Sequence, residues 1–450
     1  MVLRYVVSDG TCDRAGPAAS GRGNGARVLD WTSDLRNAIC DARRLRALAG
    51  DRWTPQVEDL LSVATAVYLA DIASSRGELE DWVRRLHITV PVHDPERWTR
   101  QVPLLAHLLY TLTRDGIALE FTPRLLPVPP VPEGRACEAD CVCLLSGGLD
   151  SFSGAVMAVS TGRRPLLLSH LSGNPTTEVA QKDVAAAVER LAPGATSWLA
   201  VRVAPHGAAP DGRDFPPPDR REPSRRARSF LFVALGAIAA VAIAAPEVLL
   251  CENGFLSIAL PLTPARSGGL STRSTHPLFL ALCNELLPRV GVQAQVVNPL
   301  IHQTKGEVLR TCLRSVIEPA TVMRSVSCWA AGRQNRQCGG CVPCILRRVA
   351  MLAAGYPDEA YMIDLLAEPG RYKGTEAYRN LVDFLAQARD FGGMTDLELL
   401  RNYPQLLDLE TATANVPDAV AMLRRHAAEV VAVLQSHFPA SADLLSHAHT

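Results

Sequence analysis

The residues with the clearest chemical character form a short run of glycine and hydroxyl side chains. Ser-Gly-Gly-Leu-Asp-Ser at 146–151 follows the apolar residues 141–145 and precedes a run of helical character. Glycine lets the backbone approach an anion closely, and the start of a helix presents unpaired amides and partial positive charge. Ser146 and Ser151 add hydroxyl donors. The run predicts a pyrophosphate-binding loop, in which Asp150 requires either a bound Mg²⁺ or a helix-capping role.

Four cysteines form a second group. Nine residues separate Cys328 from Cys338, and two residues separate Cys338 from Cys341 and Cys341 from Cys344. Two-residue spacers bend so that the thiolates point at one centre, and four thiolates without histidine favour a closed tetrahedral Zn²⁺ site. An iron–sulfur cluster uses similar spacings and is the alternative. We interpret the other eight of the twelve cysteines as small buried residues.

Alternating strands and helices position these groups. Alternation of this kind predicts an α/β fold with a parallel sheet covered by helices on both faces. The apolar run 230–245 has 16 residues and ends at Pro246, so it is shorter than the ~20 residues of a membrane span and is interpreted as a buried helix. The predicted strands are 142–145, 166–169, 197–203 and 248–251, and the predicted helices are 151–159, 177–191 and 230–245.

The chain of 450 residues is long enough for two or three domains. Prolines cluster at 123–133, where they interrupt helix and strand alike, and mark a boundary. A stretch rich in Pro, Arg, Asp and Gly at 205–228 predicts a long loop too polar to contribute to a core. We therefore expect an amino-terminal α+β accessory domain at 1–136, a nucleotide-binding core at 137–354 and a helical carboxy-terminal region at 355–450.

Composition argues against several classes of protein. Lys plus Arg and Asp plus Glu are equal at 46 each, so the chain lacks the basic excess of a nucleic-acid binder, including one that modifies tRNA. The first residues show no secretory signal pattern. We expect a cytoplasmic protein that neither spans a membrane nor binds nucleic acid directly.

The two motifs, in this order and about 180 residues apart, resemble those of the QueC (7-cyano-7-deazaguanine synthase) family of PP-loop ATP pyrophosphatases. An ordinary strand-to-helix turn is the alternative for the loop alone. Neither a Walker-type lysine nor a dinucleotide fingerprint is present there. Over about 140–350, the resemblance implies a PP-loop fold, ATP cleavage between the α and β phosphates, an adenylated substrate, and Mg²⁺ and Zn²⁺ as cofactors.

The resemblance also implies roles for individual residues. Lys305, in Thr-Lys-Gly-Glu at 304–307, corresponds to a lysine near the nucleotide, and Arg228 opens the alanine-rich helix where such enzymes place an arginine by the phosphates. Asn253 and Gly254 could instead form only a tight turn. The catalytic candidates are Asp150, Ser151 and Lys305. The nucleotide-binding candidates are Leu145, Ser146, Gly147, Gly148, Leu149, Asp150, Ser151, His170, Arg228, Asn253 and Gly254, and the metal ligands are Cys328, Cys338, Cys341 and Cys344.

Departures from the family concern the acceptor substrate. The family's Gly-Tyr-Pro-Asp-Cys-Arg loop is replaced by 252–266 and 270–276, and Arg266 and Arg273 are either substrate contacts or solvated charges. The flanking regions, including 68–77, make the whole chain similar to the QatC family, the QueC-like component of bacterial Qat antiviral systems. That similarity implies a 7-deazaguanine carboxylate, an acceptor amine and a partner protein from a defence operon. Nitrile synthesis from ammonia, nucleotide binding without turnover, and cysteine-based sulfur transfer are the alternatives.

Overall fold

A computed structural model of the chain describes residues 2–8, 26–34, 36–76, 83–128, 137–206, 214–263, 273–328, 336–411 and 414–447. Strands are interspersed with helices through the first 300 residues, and among the described residues after that point only helices occur. The strands are β1 (Val2–Val7), β2 (Arg27–Leu29), β3 (Ala38–Asp41), β4 (Arg85–Val92), β5 (Gly116–Pro123), β6 (Cys141–Leu144), β7 (Pro165–Leu171), β8 (Ser197–Pro205), β9 (Glu247–Leu249) and β10 (Gln295–Val297).

The helices of the described residues fall into three groups along the chain. The first group comprises α1 (Arg43–Ala49), α2 (Pro55–Ile72), α3 (Pro95–Arg100) and α4 (Val102–Thr113). The second comprises α5 (Leu149–Ser160), α6 (Pro175–Leu191), α7 (Arg228–Ala242), α8 (Gly254–Ile258), α9 (Pro277–Arg289), α10 (Lys305–Cys312), α11 (Pro319–Val322) and α12 (Val342–Ala353). The third comprises α13 (Glu376–Gly393), α14 (Asp396–Asn402), α15 (Val416–His437) and α16 (Pro439–His447).

The strands form two sheets. The smaller sheet has the order β2-β1-β4-β5 and is parallel throughout. The larger sheet has the order β10-β9-β6-β7-β8-β3, and only its edge strand β3 is antiparallel. Cys143 of the central strand β6 lies opposite Leu167 of β7 and Leu249 of β9. The α/β fold with a parallel sheet and a helical carboxy-terminal region is confirmed.

The burial of each element explains why its sequence forms it. All four residues of β6 are buried, as expected of a central parallel strand covered on both faces. Helix α7 is buried along most of its length, and its small residues permit close packing, since a Cβ at Gly236 would lie 2.7 Å from Val248 Cγ1. Helix α10 begins with a complete capping box between Thr304 and Glu307. The prediction of a buried helix for the apolar run is confirmed for residues 230–242, and the helix ends three residues before the end of the run.

The two sheets share one core. Helices α2 and α4 cover the smaller sheet, α7 and α9 lie against the larger one, and the two helix layers pack on each other in a continuous apolar cluster. A second cluster joins α5, α6, α10 and α12 on the opposite face of the larger sheet, and a third unites the carboxy-terminal helices with α8. Strand β3, which belongs to the first 136 residues, pairs with β8 of the larger sheet. This pairing crosses the expected boundary near residue 136, so the division into three domains stays a prediction.

The interpretation of 205–228 as a loop too polar for a core was wrong for its second half. Residues 207–213 lie outside the described residues, but Glu222 and Arg226 are each only 4% exposed. Glu222 forms an ion pair with the buried Arg76 at 2.9 Å, and Phe215 is buried in the core. Polar side chains enter this interior because opposite charges from the amino-terminal region meet them there.

The remaining predictions about cysteines and membranes have mixed outcomes. Cys141, Cys143, Cys251, Cys283 and Cys312 are buried thiols, as predicted. Cys40 and Cys137 are only half-buried, which corrects the expectation for those two: Cys40 lies in the edge strand β3, and Cys137 precedes β6 outside the sheet. Cys12 is outside the described residues. In the part of the chain that the structure describes, no helix combines the length and apolar character needed to cross a bilayer.

Candidate nucleotide site and cysteine cluster

A cavity of about 350 Å³ opens at the carboxyl ends of the central strands of the larger sheet. Residues at the carboxyl ends of β6 and β7, and residues directly after β6 and β9, line the cavity together with the first turns of α5, α7 and α10. Ligands of open parallel sheets bind at this edge, where helix amino termini converge. The cavity is thus placed where the sheet and its helices concentrate backbone donors.

The predicted loop 146–151 forms one wall of the cavity. Gly147 has a φ of +85°, and a Cβ there would lie 2.9 Å from the amide nitrogen of Gln181, so glycine is required. Ser151 Oγ donates to the carbonyl of Gly148 at 3.1 Å and accepts from the amide of Ser146 at 3.2 Å. No side chain of the described residues caps the first-turn amides of α5, which leaves them available to a ligand.

Asp150 and Lys305 meet inside this cavity, although 155 positions separate them. The ammonium of Lys305 forms an ion pair with Asp150 Oδ2, and both side chains are at most a tenth exposed. Asn253 Nδ2 donates to Asp150 Oδ1 at 3.0 Å. The pair supplies one buried cation and one carboxylate that a phosphate group could separate.

Gly254 and Asn253 support the site rather than line it. The amide nitrogen of Gly254 donates to the carbonyl of Gln303 at 2.8 Å, and a Cβ at Gly254 would lie 2.2 Å from the carbonyl oxygen of Ile301. Asn253 caps α8 by accepting from the amide of Leu256. These two residues hold the segment after β9 against the segment before α10, beyond the tight turn that their types suggest.

His170 and Arg228 also line the cavity. His170 Nε2 is 2.8 Å from the carbonyl oxygen of Val203, so the proton sits on Nε2 and Nδ1 is an acceptor without a partner among the described residues. Burial, with help from nearby arginine charges, lowers the pKa of His170 to about 3. The guanidinium of Arg228 lies 5.4 Å from the ring centroid of Phe232, and within the described chain no carboxylate pairs with it. Arg228 is therefore free to bind an anion.

Glu252 is a cavity residue that the sequence analysis missed as a site candidate. Burial raises its pKa to about 7, the charge of Asp150 adds to this rise, and the ammonium of Lys305 opposes it. The side chain of Asn298 accepts from its amide at 3.1 Å and donates to its carbonyl at 2.8 Å. Its position directly after a predicted strand, at the same sheet edge as Ser146, was the signal available in the sequence.

Most of the remaining cavity wall is apolar, and Ser169, Ser274, Thr275 and Ser327 add hydroxyl groups to it. Phe255, Leu260 and Pro343 contribute to this half, which suits a flat ring system. Arg273 is not a solvated charge: it is buried and lies 3.2 Å from Asp408 in an ion pair. Arg266 and residues 270–272 of the same predicted substrate loop lie outside the described residues.

The four predicted cysteines converge next to the cavity. Their sulfur atoms all lie within 4.8 Å of one another. Cys338 and Cys344 are 3.8 Å apart, and Cys328 and Cys341 are 3.9 Å apart, measured between sulfurs. A tetrahedron with bonds of about 2.3 Å to a central Zn²⁺ has sulfur separations of about 3.8 Å. The donor set and its spacing fit a single tetrahedral metal ion better than a cluster that distributes its cysteines over several irons.

Two glycines allow the cysteine knuckle to pack tightly. Gly339 has a φ of +82°, and a Cβ there would lie 2.2 Å from the carbonyl oxygen of Ile363. Cys328 donates its amide to the side chain of Gln337 at 3.1 Å. Two residues before Cys328, the amide of Val326 donates to the carbonyl of Gly147 at 2.9 Å. The segment that leads into Cys328 is therefore bonded to the loop 146–151.

Comparison with known proteins agrees with this geometry. A family model described as "Queuosine biosynthesis protein QueC" matches residues 275–355, which contain Lys305 and all four clustered cysteines. A 7-cyano-7-deazaguanine synthase of Synechococcus elongatus is 30% identical over 244 residues, which is 50% of this chain and 96% of that protein. The chain belongs to the QueC family. A 7-cyano-7-deazaguanine synthase of Desulfatibacillum aliphaticivorans is 28% identical over 234 residues, 48% of this chain and 94% of that protein.

This QueC-family chain extends beyond both relatives. About half of its residues lie outside each of these two alignments, which cover nearly all of each relative. A shorter match, to the 7-cyano-7-deazaguanine synthase of Thiobacillus denitrificans, is 35% identical over 82 residues, 18% of this chain and 31% of that protein. The special closeness to the QatC family stays a prediction.

Three buried histidines of this QueC-family chain predict acid sensitivity. Burial lowers the pKa values of His170, His276 and His426 to about 3 each. Unfolded histidines bind a proton below about pH 6.5, so the free energy of unfolding is highest above that pH and falls as the pH drops towards 3. Each contributes about 1.4 kcal/mol per pH unit in this window. His426, which packs between Phe255 and Phe384, offers the cleanest variant.

We expect His426→Phe to reduce the slope of the free energy of unfolding against pH between pH 6.5 and 5. The reduction should correspond to the uptake of about one proton fewer on unfolding. Urea unfolding at several pH values measures this slope. The exposed His437 provides the matched control, and His437→Phe should leave the slope unaltered. An unchanged slope in the folded His426→Phe variant would contradict the assignment of a neutral buried imidazole.

Proposed function

We propose that the chain is an ATP-dependent adenylating enzyme that activates the carboxylate of a 7-deazaguanine and transfers it to an amine. The uncapped amides at the start of α5 carry this proposal, since they face the cavity together with the Lys305 ammonium and the unpaired Arg228 guanidinium. Backbone amides and cations arranged around one cavity suit the phosphates of ATP. The apolar half of the cavity suits the flat base of the second substrate.

In the first step a carboxylate oxygen of the substrate attacks the α-phosphorus of ATP. The bond between the α-phosphorus and the bridging oxygen breaks, and pyrophosphate leaves with the electron pair, so an acyl-adenylate remains. Lys305 and the loop amides stabilise the charge that grows on the leaving pyrophosphate. Asp150 holds the Lys305 ammonium in place before ATP enters. None of these contacts requires a nucleophile from the protein.

The carboxylate of Asp150 fits a divalent cation, because Mg²⁺ prefers carboxylate oxygens and Asp150 lines the cavity directly after the two glycines of the loop. Bound there, Mg²⁺ would neutralise negative charge on the phosphates. The four clustered cysteines suit Zn²⁺ in a structural role, since every tetrahedral position is filled by protein.

In the second step the amine nitrogen attacks the carbonyl carbon of the acyl-adenylate. The carbon–oxygen bond to AMP breaks, AMP leaves with the electron pair, and the nitrogen loses a proton as the amide forms. The raised pKa of Glu252, about 7, places a group able to accept that proton in the cavity near neutral pH. The finer proposal is that the amine belongs to a partner protein in bacterial antiviral defence.

A second candidate function is nitrile synthesis with ammonia as the amine. The name of the Synechococcus elongatus relative, 7-cyano-7-deazaguanine synthase, favours it. The same cavity would form the acyl-adenylate first, and a second ATP would be consumed to dehydrate the amide. The half of this chain outside that alignment favours transfer to a larger acceptor.

Product analysis tests these proposals. We expect purified protein incubated with ATP, Mg²⁺ and 7-carboxy-7-deazaguanine to release AMP and pyrophosphate, not ADP and phosphate. Chromatography of nucleotides and mass spectrometry of the deazaguanine products measure the outcome. The Asp150→Asn variant serves as the matched control for a contaminating hydrolase, because it retains the size of the side chain.

The outcomes separate the candidates. Accumulation of the free nitrile when ammonia is supplied supports the synthase. A mass increase on a candidate partner protein, with no free nitrile, supports transfer. Tight ATP binding without AMP formation under either condition would leave only a nucleotide-binding subunit and would contradict an adenylating enzyme.

A further inference from the structure

The amino-terminal region touches the cavity through a chain of ring contacts. Tyr68 of α2 packs edge-on against His170, with 5.4 Å between ring centroids. His170 in turn packs edge-on against Phe232 at 5.4 Å, and the Arg228 guanidinium lies over the ring of Phe232. Tyr68 of the amino-terminal region is thus connected through His170 to Phe232, the ring over which the Arg228 guanidinium lies.

Asp71, one helical turn further along α2, holds the backbone next to Arg228. Its Oδ2 atom accepts from the amide of Ala227 at 2.9 Å, and Ala227 is the residue that precedes α7. Asp71 is fully buried, and its partner Arg84 donates to the Asp71 carbonyl at 2.9 Å and pairs with its carboxylate. The position of the first turn of α7 is therefore set by a carboxylate from the amino-terminal region.

The segment before α7 is docked by further bonds to the same region. The amide of Glu222 donates to the carbonyl of Ile72, and the amide of Arg76 donates to Glu222 Oε2, both at 2.9 Å. Arg225 has a φ of +47°, a conformation that non-glycine residues adopt only when surrounding structure imposes it. These contacts hold Arg225 in an unfavourable backbone conformation. That conformation sets the direction in which the chain enters α7 at Arg228.

From these contacts we infer that Asp71 is a positioning residue for Arg228, and that the amino-terminal region acts on ATP binding through it. This inference rests on the proposed function. The QueC family model begins at residue 275, so nothing in that match assigns a role to α2. A carboxylate that locks a helix amino terminus reduces the freedom that the arginine would lose on binding phosphate.

A double-mutant cycle tests the inference. We expect Arg228→Ala to raise the Kd for Mg-ATP about tenfold, and Asp71→Asn to raise it in the same direction, since asparagine cannot accept fully from both Arg84 and Ala227. In the Arg228→Ala background, Asp71→Asn should have no further effect, because its route of action is gone. Calorimetric titration with an α,β-methylene analogue of ATP measures the four values without turnover.

A milder variant and a matched control guard against loss of fold. Ser224→Ala removes an acceptor for Arg76 Nη1 at 3.0 Å without burying an unpaired charge, and should raise the Kd about threefold. Glu58→Gln alters another buried carboxylate of α2, one whose partners are Trp53, Arg46 and Arg124, and should leave the Kd unchanged. In steady state the KM for ATP should rise in Asp71→Asn and Ser224→Ala while kcat changes little.

Different results would overturn the positioning role of Asp71 and the proposed function. Equal losses from Asp71→Asn with and without Arg228, or unaltered binding by folded Asp71→Asn and Ser224→Ala, would overturn the positioning role while leaving ATP binding intact. Failure of the unaltered chain to bind ATP would overturn the proposed function itself, and the inference with it.

Discussion

Replacing Lys305 by glutamine should lower the rate of AMP release at least about 100-fold, because loss of one preorganised charge donor at a leaving group typically costs this much. Lys305 is buried, and its ammonium pairs with Asp150 inside the cavity. Glutamine retains most of the side-chain volume but carries no charge. The comparison of AMP release under saturating ATP measures the effect on kcat.

The loss of one charge from a buried pair can also destabilise the fold, so stability needs a control of its own. The double variant Asp150→Asn/Lys305→Gln removes both charges and should recover folding stability without recovering activity. Lys373→Gln, at an exposed lysine, should change neither property. Unaltered AMP release from a folded Lys305→Gln protein would rule out the proposed catalytic role.

Loss of the cysteine cluster should prevent the chain from folding stably. We expect about one zinc per purified chain, and Cys341→Ser should give insoluble or readily unfolded protein, because the binding free energy of a structural zinc is available to folding. The cluster joins the segment behind the phosphate loop to α12, and the carbonyl of Gly340 accepts from Asn380 of α13 at 3.1 Å. Metal analysis and thermal unfolding with and without chelator provide the measurements.

Cys283→Ala is the matched control, since Cys283 is a buried thiol of α9 far from the cluster in the fold, and it should retain zinc and solubility. Iron with acid-labile sulfide in anaerobically prepared protein would overturn the zinc assignment. Stable, metal-free protein from the Cys341→Ser variant would contradict a structural role for any metal.

Local sequence patterns were sufficient to predict the elements that carry the site. The predicted strand 142–145 corresponds to β6, and the predicted helix 177–191 lies within α6. The cysteine spacing predicted a convergence that the sulfur distances confirm. These features depend on neighbours within a few residues of each other, where hydrophobic period, glycine turns and ligand spacing act directly.

Contacts between distant segments could not be predicted in the same way. The polar stretch around Glu222 has the composition of a solvated loop, and its burial depends on Arg76 and other partners more than 100 positions away. In the sequence, Glu252 is the first residue of a loop after a predicted strand. Only the folded sheet brings it beside Asp150 and Lys305. Composition records charge but not the partner that neutralises it.

The sequence by itself determined the α/β class, the glycine turn at 146–151 between a strand and a helix, and the convergence of the four cysteines, because each is encoded in a short run whose geometry is local. The tertiary structure alone decided that Lys305 pairs with Asp150, that Glu252 enters the cavity, and that Asp71 holds the start of α7. Those arrangements arise from the order in which strands join the sheet and from the packing of α2 on α7. A buried charged side chain needs a partner of opposite charge, and for these residues that partner is close only in the folded chain.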